Sequence, residues 1–542
     1  MTTDKQQQKV SLIGSEDSKS PKPQIVKTNP NGYTTPVQAE SQFDKKERGK
    51  ALRQIIAAFI VNIGPMNTGL IFGFSAVVIP QLQAASSSIP IDENQSSWVA
   101  SLSSLSTPIG CILGGWLSDK IGRKKTLILT EIPLILGWGA ISMASRIEMI
   151  YIGRLLCGLG SGIVGAPARV YTSEVTQPHL RGMLTALSSV ALSFGVLMQY
   201  TLGAFLDWKM LSAVSCLVPV IAMFGMCLLP ESPNYLISHQ KPEKAKQSLA
   251  KLRGSSYNLQ KEINQLQEFA NKINAKKQVS AKETIEALLA PSCLKPFMIL
   301  VVYFMLYQFS GVNTITFYAV EIFQDSGAEM DKYTATIILG ALRFLFTIVG
   351  CVALRRCGRR PLSFISGVGC AITMLGLGIY LYYKQLWEKE GIAPMYTWVP
   401  VACIFIFIIT CTLGFLVVPW IMIGELYPMK VRGIVGGMTT CAAHTFVFMV
   451  VKTYPLLTHA VERHGAFIIY GLISILATIF FYFYLPETKG KTLQEIEDYF
   501  SGRISTLKTV KPEKVTNNLQ NNINNNQIVL IMESEKLLNE KQ

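Results

Sequence analysis

The sequence predicts an all-α membrane protein of twelve transmembrane helices, arranged as two six-helix bundles with a helical linker between them on the cytoplasmic side. Three observations carry this reading. Hydrophobic residues make up 49% of the 542-residue chain and charged residues 16%, the composition of a polytopic membrane protein rather than of a soluble domain. Apolar runs long enough to cross a bilayer recur about twelve times. The first part of the chain is also repeated by the second.

The runs begin near Gln54, Trp98, Thr126, Ile150, Gly182 and Met210, then near Phe297, Tyr333, Pro361, Trp398, Gly433 and Gly465. The formal charge of +15 would suit a nucleic-acid binder, but the lysines and arginines sit in short clusters between apolar runs, which is a membrane pattern. "SDKIGRKK", "LRRCGRRP" and the stretch from Pro230 to Lys295 are basic, whereas "QLQAASSSIPIDENQSS" has acids and no base. The positive-inside rule therefore places both termini and the linker in the cytoplasm of a multi-pass plasma-membrane protein.

The domain reading follows. Residues 1–50 are polar and proline-bearing and predict a disordered tail; residues 51–229 and 295–485 are the two bundles; residues 230–294, with "PEKAKQSLAKL" and "LQKEINQLQEFANKI", are a cytoplasmic helical linker. Residues 486–542 form an Asn-rich tail, where "ESEKLL" (Glu533, Leu537, Leu538) matches an acidic dileucine signal that would engage sorting adaptors and supply an endosomal pool. The eleven cysteines lie almost all in apolar spans, so they read as packing residues. Asn94-Gln95-Ser96 is a glycosylation acceptor pattern in the first outside loop. No catalytic constellation, metal-ligand spacing or cofactor loop is present, so neither an enzyme nor a cofactor or metal is expected.

The repeat is specific. "GGWLSDKIGRKK" matches "GCVALRRCGRRP", "SEVTQPHLRG" matches "GELYPMKVRG" with equal spacing in Glu174/Arg181 and Glu425/Arg432, and the halves close on "PESPNYL" and "PETKGKTL". Asp119, Arg123, Arg154, Glu174, Arg181, Arg359, Glu425 and Arg432 are expected to form a cytoplasmic gate of charge-assisted bonds that holds the bundles together. Inside the membrane, Glu131 and Arg169 lie at similar depth in consecutive spans and are expected to pair.

These motifs, over about residues 50–500, resemble the sugar porter family of the major facilitator superfamily, and within it the insect facilitated trehalose transporters. The resemblance implies a facilitative carrier for a sugar such as trehalose or a hexose, working by alternating access between the repeats. It also implies a substrate site of amides, hydroxyls and an aromatic, carried over here onto Gln308, Asn313 and Tyr318 of span 7 and Trp420 of span 10. At other family positions this chain departs: Tyr307 replaces a Gln, Ser189 another Gln and Thr412 a Glu, while Ala443 and His444 fall where Asn-Trp is common. Ser75 stands where proton-coupled members carry Asp, which favours uniport, with His444 the one route to pH dependence.

Arg343 stands in span 8 where the family supplies Asn. A guanidinium facing lipid at mid-span costs on the order of 3 kcal/mol or more, so Arg343 is expected to line the substrate path. Two alternatives accompany the sugar reading: a carrier of an anionic organic solute held by Arg343, and a non-transporting nutrient sensor.

Overall fold

The structure, a computed structural model, describes residues 51–504 apart from 255, 256, 277–280, 328, 429 and 430. The tails, with Glu533, Leu537 and Leu538, lie outside the described residues. Among those described, every regular element is helical.

The first bundle comprises spans 1 to 6: Ala51–Gln83, Glu93–Ile121, Arg123–Ser142, Ile147–Val175, Pro178–Phe205 and Trp208–Leu228. The second comprises a broken span 7 (Pro291–Tyr307, Gln308–Val312, Asn313–Phe317, Ala319–Asp325), span 8 (Lys332–Arg356), span 9 (Arg359–Lys389), an interrupted span 10 (Trp398–Leu413, Val418–Leu426), and one long helix, Arg432–Tyr484. That helix holds spans 11 and 12, parted where Glu462 takes φ 58°. Among the described residues, ten helices are long and apolar enough to cross a bilayer. Span 2, diluted by serines, and the second span of the long helix complete twelve. Large apolar side chains on the outer surface, such as Phe224 at 64% and Tyr482 at 57% exposed, face where lipid would lie.

The short helices Pro233–Ser238, Pro242–Arg253, Leu259–Lys276 and Ala281–Leu289 form the linker. They define one end of the bundle, the linker face; the opposite end is the far face. The linker docks through Arg253, which is 2% exposed, donates to the Val175 carbonyl at 2.6 Å and pairs with Glu262 at 2.9 Å. Its bond satisfies a carbonyl that the end of span 4 would leave orphaned.

Local chemistry sets the helix boundaries. Asp92 caps span 2 in a capping box with Gln95. Asp331 caps span 8 by accepting from the N–H and the hydroxyl of Thr334 at 2.8 and 3.0 Å, bonds that hold its carboxyl below the usual carboxylate range. Span 7 breaks where Gly311 takes φ +91°, and a Cβ there would sit 2.7 Å from the Tyr470 ring. Spans 2 and 4 touch backbone to backbone, since a Cβ on Gly158 would meet the Ser103 carbonyl at 2.0 Å.

Candidate functional site

At the linker face the two halves build the same device. Arg123, at the start of span 3, grips Glu174 at the end of span 4 through Nε and Nη2 at 3.2 and 3.3 Å. Arg359 grips Glu425 in the same two-pronged way, with Nε at 3.1 Å and Nη2 at 2.5 Å. Each acid also accepts a hydroxyl from the segment that closes its half: Ser232 bonds Glu174, and Thr488 bonds Glu425 at 2.6 Å. A second carboxylate caps the start of the helix that carries the arginine. Glu231 accepts from the Lys124 N–H at 3.0 Å; Glu487 accepts from the N–H groups of Arg359 and Arg360, each at 3.1 Å. Anions at helix N-termini are favoured by the dipole and the free N–H groups. The matching "PES" and "PET" tripeptides were the sequence signal for Glu231 and Glu487, but a carboxylate's target is visible only once the helix start beside it is placed.

This geometry corrects the expected gate in three respects. Both pairs stay within one half, so they fasten span 3 to span 4 and span 9 to span 10 rather than one bundle to the other. Arg181 is exposed and shows no side-chain bond among the described residues, and Arg432 donates to the Tyr427 carbonyl at 3.0 and 3.2 Å instead of to Glu425. Asp119 does meet Arg123, at 3.3 Å.

Arg154 is the third correction. It lies twenty residues before Glu174, about 30 Å along span 4 and near the far face. Fully buried, it donates to the carbonyls of Val99 (2.9 Å), Ile71 (2.9 Å) and Ala100 (3.3 Å) and to the Ser75 hydroxyl (2.7 Å). It staples spans 1, 2 and 4 together.

Polar contacts that cross between the halves lie from mid-membrane to the far face. Ser193 of span 5 meets Thr347 of span 8 at 2.8 Å, and the Tyr200 hydroxyl donates to the Thr316 carbonyl at 2.6 Å. Lys452 donates to Ser97 at 2.7 Å and Asn94 at 3.2 Å while lying over the Trp98 ring, and His459 meets Glu93 at 2.7 Å. Asn94 is exposed in the first turn of span 2. Apart from Asn94, read as a glycosylation acceptor, these far-face residues carried no recognisable motif, and sequence reasoning missed their contacts across the halves.

The interior holds the remaining candidates. Gln308 and Asn313, 2% and 3% exposed, flank the break in span 7 and are hydrogen-bonded to each other. Trp420 packs on Phe304 and lies 6.0 Å from the His444 ring, whose Nδ1 has no partner. Tyr307 is buried against Phe415. Tyr318 is buried with its hydroxyl donating to the Val451 carbonyl at 3.1 Å, which ties span 7 to span 11. Thr412 is buried and returns its hydroxyl to the Ile408 carbonyl at 2.6 Å, the usual economy of a threonine in a span. Ser189 is half-buried; its neighbour Ser188 instead bonds Asn62 at 2.6 Å.

The expected pair of Glu131 and Arg169 does not form. The Arg169 guanidinium lies over the Trp420 ring, 5.2 Å from its centre, while Glu131 is 1% exposed beside Gly64 with Oε2 unpartnered. The reason is angular. Span 4 meets span 3 through Gly160, which touches Leu134 and Thr130; Arg169 lies nine residues on, about two and a half turns, and so projects from the opposite side of the helix.

Two bundles related by a repeat, joined at one face around a seam of buried amides and aromatics, define a membrane transporter of the alternating-access kind. A family model described as "Sugar (and other) transporter" matches residues 32–500, and the chain belongs to that family. It is 35% identical over 449 residues to a facilitated trehalose transporter Tret1 of Bombyx mori, covering 82% of this chain and 86% of the relative. It is 31% identical over 482 residues to a Tret1 of Apis mellifera ligustica, covering 88% and 95%. Among solved structures, the partially occluded inward open conformation of the xylose transporter XylE from E. coli has the same fold at a TM-score of 0.67 and 20% identity, over 82% of this chain and all of that one. The protein is thus a transporter and not an enzyme.

Proposed function

We propose that the protein is a facilitative carrier which moves a sugar or sugar-like solute across the plasma membrane by alternating access, with the linker face in the cytoplasm. The observation that carries this reading is the amide pair Gln308–Asn313 at the break in span 7, one turn from Thr316, the residue whose carbonyl joins the halves. Amides that both donate and accept suit the many neutral hydroxyls of a sugar. The insect relatives are facilitated trehalose transporters, which supports trehalose or a hexose as cargo.

Uniport is supported by Ser75, the partner of Arg154 in span 1. A serine hydroxyl does not ionise near neutrality, so that contact offers no proton coupling. In this reading the present structure is closed outwardly, Asn94 is the outside glycan acceptor, and the C-terminal tail serves sorting adaptors. Labelled trehalose and glucose should equilibrate into proteoliposomes without accumulating above the outside concentration, and an inward proton gradient should leave the initial rate unchanged. Accumulation driven by protons would overturn uniport; no flux of any sugar or sugar derivative would overturn the carrier.

A further inference from the structure

Among the described residues three guanidinium groups lie within the membrane-spanning segments, and they are treated differently. Arg154 is saturated by four oxygens. Among the described residues Arg343, at 4% exposure, makes a single side-chain bond, Nη1 to the Thr316 hydroxyl at 2.7 Å, and its buried Nε has no partner. Arg169, half-buried, lies against the face of Trp420 and has no hydrogen bond or ion pair among the described residues. Guanidinium stays charged in proteins, and an interior charge without a counter-ion is strongly disfavoured.

Both under-bonded arginines stand at the seam between the halves. Arg343 bonds the residue that Tyr200 reaches from span 5, and one turn further along span 8 Thr347 meets Ser193. Arg169 reaches from span 4 to a ring on span 10. Among the described residues the one carboxylate in the middle of a span is Glu131, on the other side of span 4 from Arg169. Glu174 and Glu425 are engaged at the linker face, and Glu93, Glu321 and Asp325 meet His459 and Arg463 at the far face. The path therefore has positive charge at mid-depth, and no carboxylate among the described residues pairs with it.

We propose that Arg343 is the anion-binding residue of the transport site and that the preferred cargo is a sugar carrying a carboxylate, with Arg169 adding positive potential from the opposite half. The inference rests on the carrier reading above and narrows its cargo. Asn313 and Thr316 are one turn apart on span 7, so a solute whose hydroxyls meet the amide pair has its acidic end within reach of Arg343. The planar fork of guanidinium matches a carboxylate in two-point contact, a match that a neutral hydroxymethyl group cannot reproduce.

Glucose and glucuronate test this directly, because they differ only at the terminal carbon. In proteoliposomes the native chain should take up labelled glucuronate with a kcat/KM at least about tenfold above that for glucose. An inside-positive membrane potential should raise glucuronate accumulation and leave glucose unaffected, since uniport of an anion moves charge. Arg343→Asn should reverse the preference by about tenfold or more, and Arg343→Lys should keep part of it. If Arg343→Asn fails to fold, the potential dependence and the competition of glucuronate against glucose in the native chain still decide. Native transport of glucose or trehalose with indifference to glucuronate would overturn the proposal and leave the sugar carrier standing. So would uptake of glucose 6-phosphate in preference to glucuronate. Failure to move any of these would overturn both.

Discussion

The two halves agree at the linker face and part company in the middle. Gly122, Arg123, Glu174, Glu231 and Ser232 are matched one for one by Gly358, Arg359, Glu425, Glu487 and Thr488, and the matched residues bond alike. The register that sets Gly122 against Gly358 sets Thr107 against Arg343. Thr107 is spent on helix packing, donating to Ser103 and approaching the Gly158 carbonyl at 3.2 Å, whereas Arg343 keeps an unpartnered nitrogen at the seam. Ends that must hold each half rigid are under the same demand in both halves and stay alike. Middles that form opposite walls of one substrate path are under different demands and diverge.

Substitutions can sharpen or break that comparison. The largest effect is expected for Arg154→Leu, which removes four buried charge-assisted bonds joining spans 1, 2 and 4 and should destabilise the first half by on the order of 3 kcal/mol or more. The thermal midpoint of the purified protein reads this out, and an unchanged midpoint would mean the staple is idle. Next, Glu174→Gln and Glu425→Gln should each lower the uptake rate by about tenfold, equivalent to about 1.4 kcal/mol, and by similar factors. A large loss from one with none from the other would break the equivalence of the ends. Thr107→Val should cost about 1 kcal/mol of stability and leave substrate preference unchanged, in contrast to any change at Arg343. Smallest is His459→Ala at the far face: the pair with Glu93 is exposed, 68% and 53% at the two side chains, and should be worth less than about 1 kcal/mol, visible only as a minor change in uptake rate.

Much of this was legible from the sequence, and the failures share a cause. Spans announce themselves because the bilayer demands a long apolar run, and the repeat fixes how many there are; Gln308, Asn313 and Trp420 could be placed because their motifs are local. Distance along a helix was also readable, but direction around it was not used. Glu131 and Arg169 match in depth and point to different neighbours, and Thr412 points into its own helix. Arg154 was grouped with the gate by residue type although twenty positions separate it from Glu174. Which half an ion pair belongs to, as for Arg123 with Glu174, depends on tertiary packing that one-dimensional motifs do not carry.

The central claim is that two rigid halves move apart along their seam during each cycle, and Ser193 and Thr347, mid-span on either side of it, allow the most direct test because their hydroxyls meet at 2.8 Å. A Ser193→Cys/Thr347→Cys protein, oxidised to join the halves, should lose sugar uptake and regain it on reduction, while either single substitution transports in both conditions. Full transport by the cross-linked protein would contradict the account.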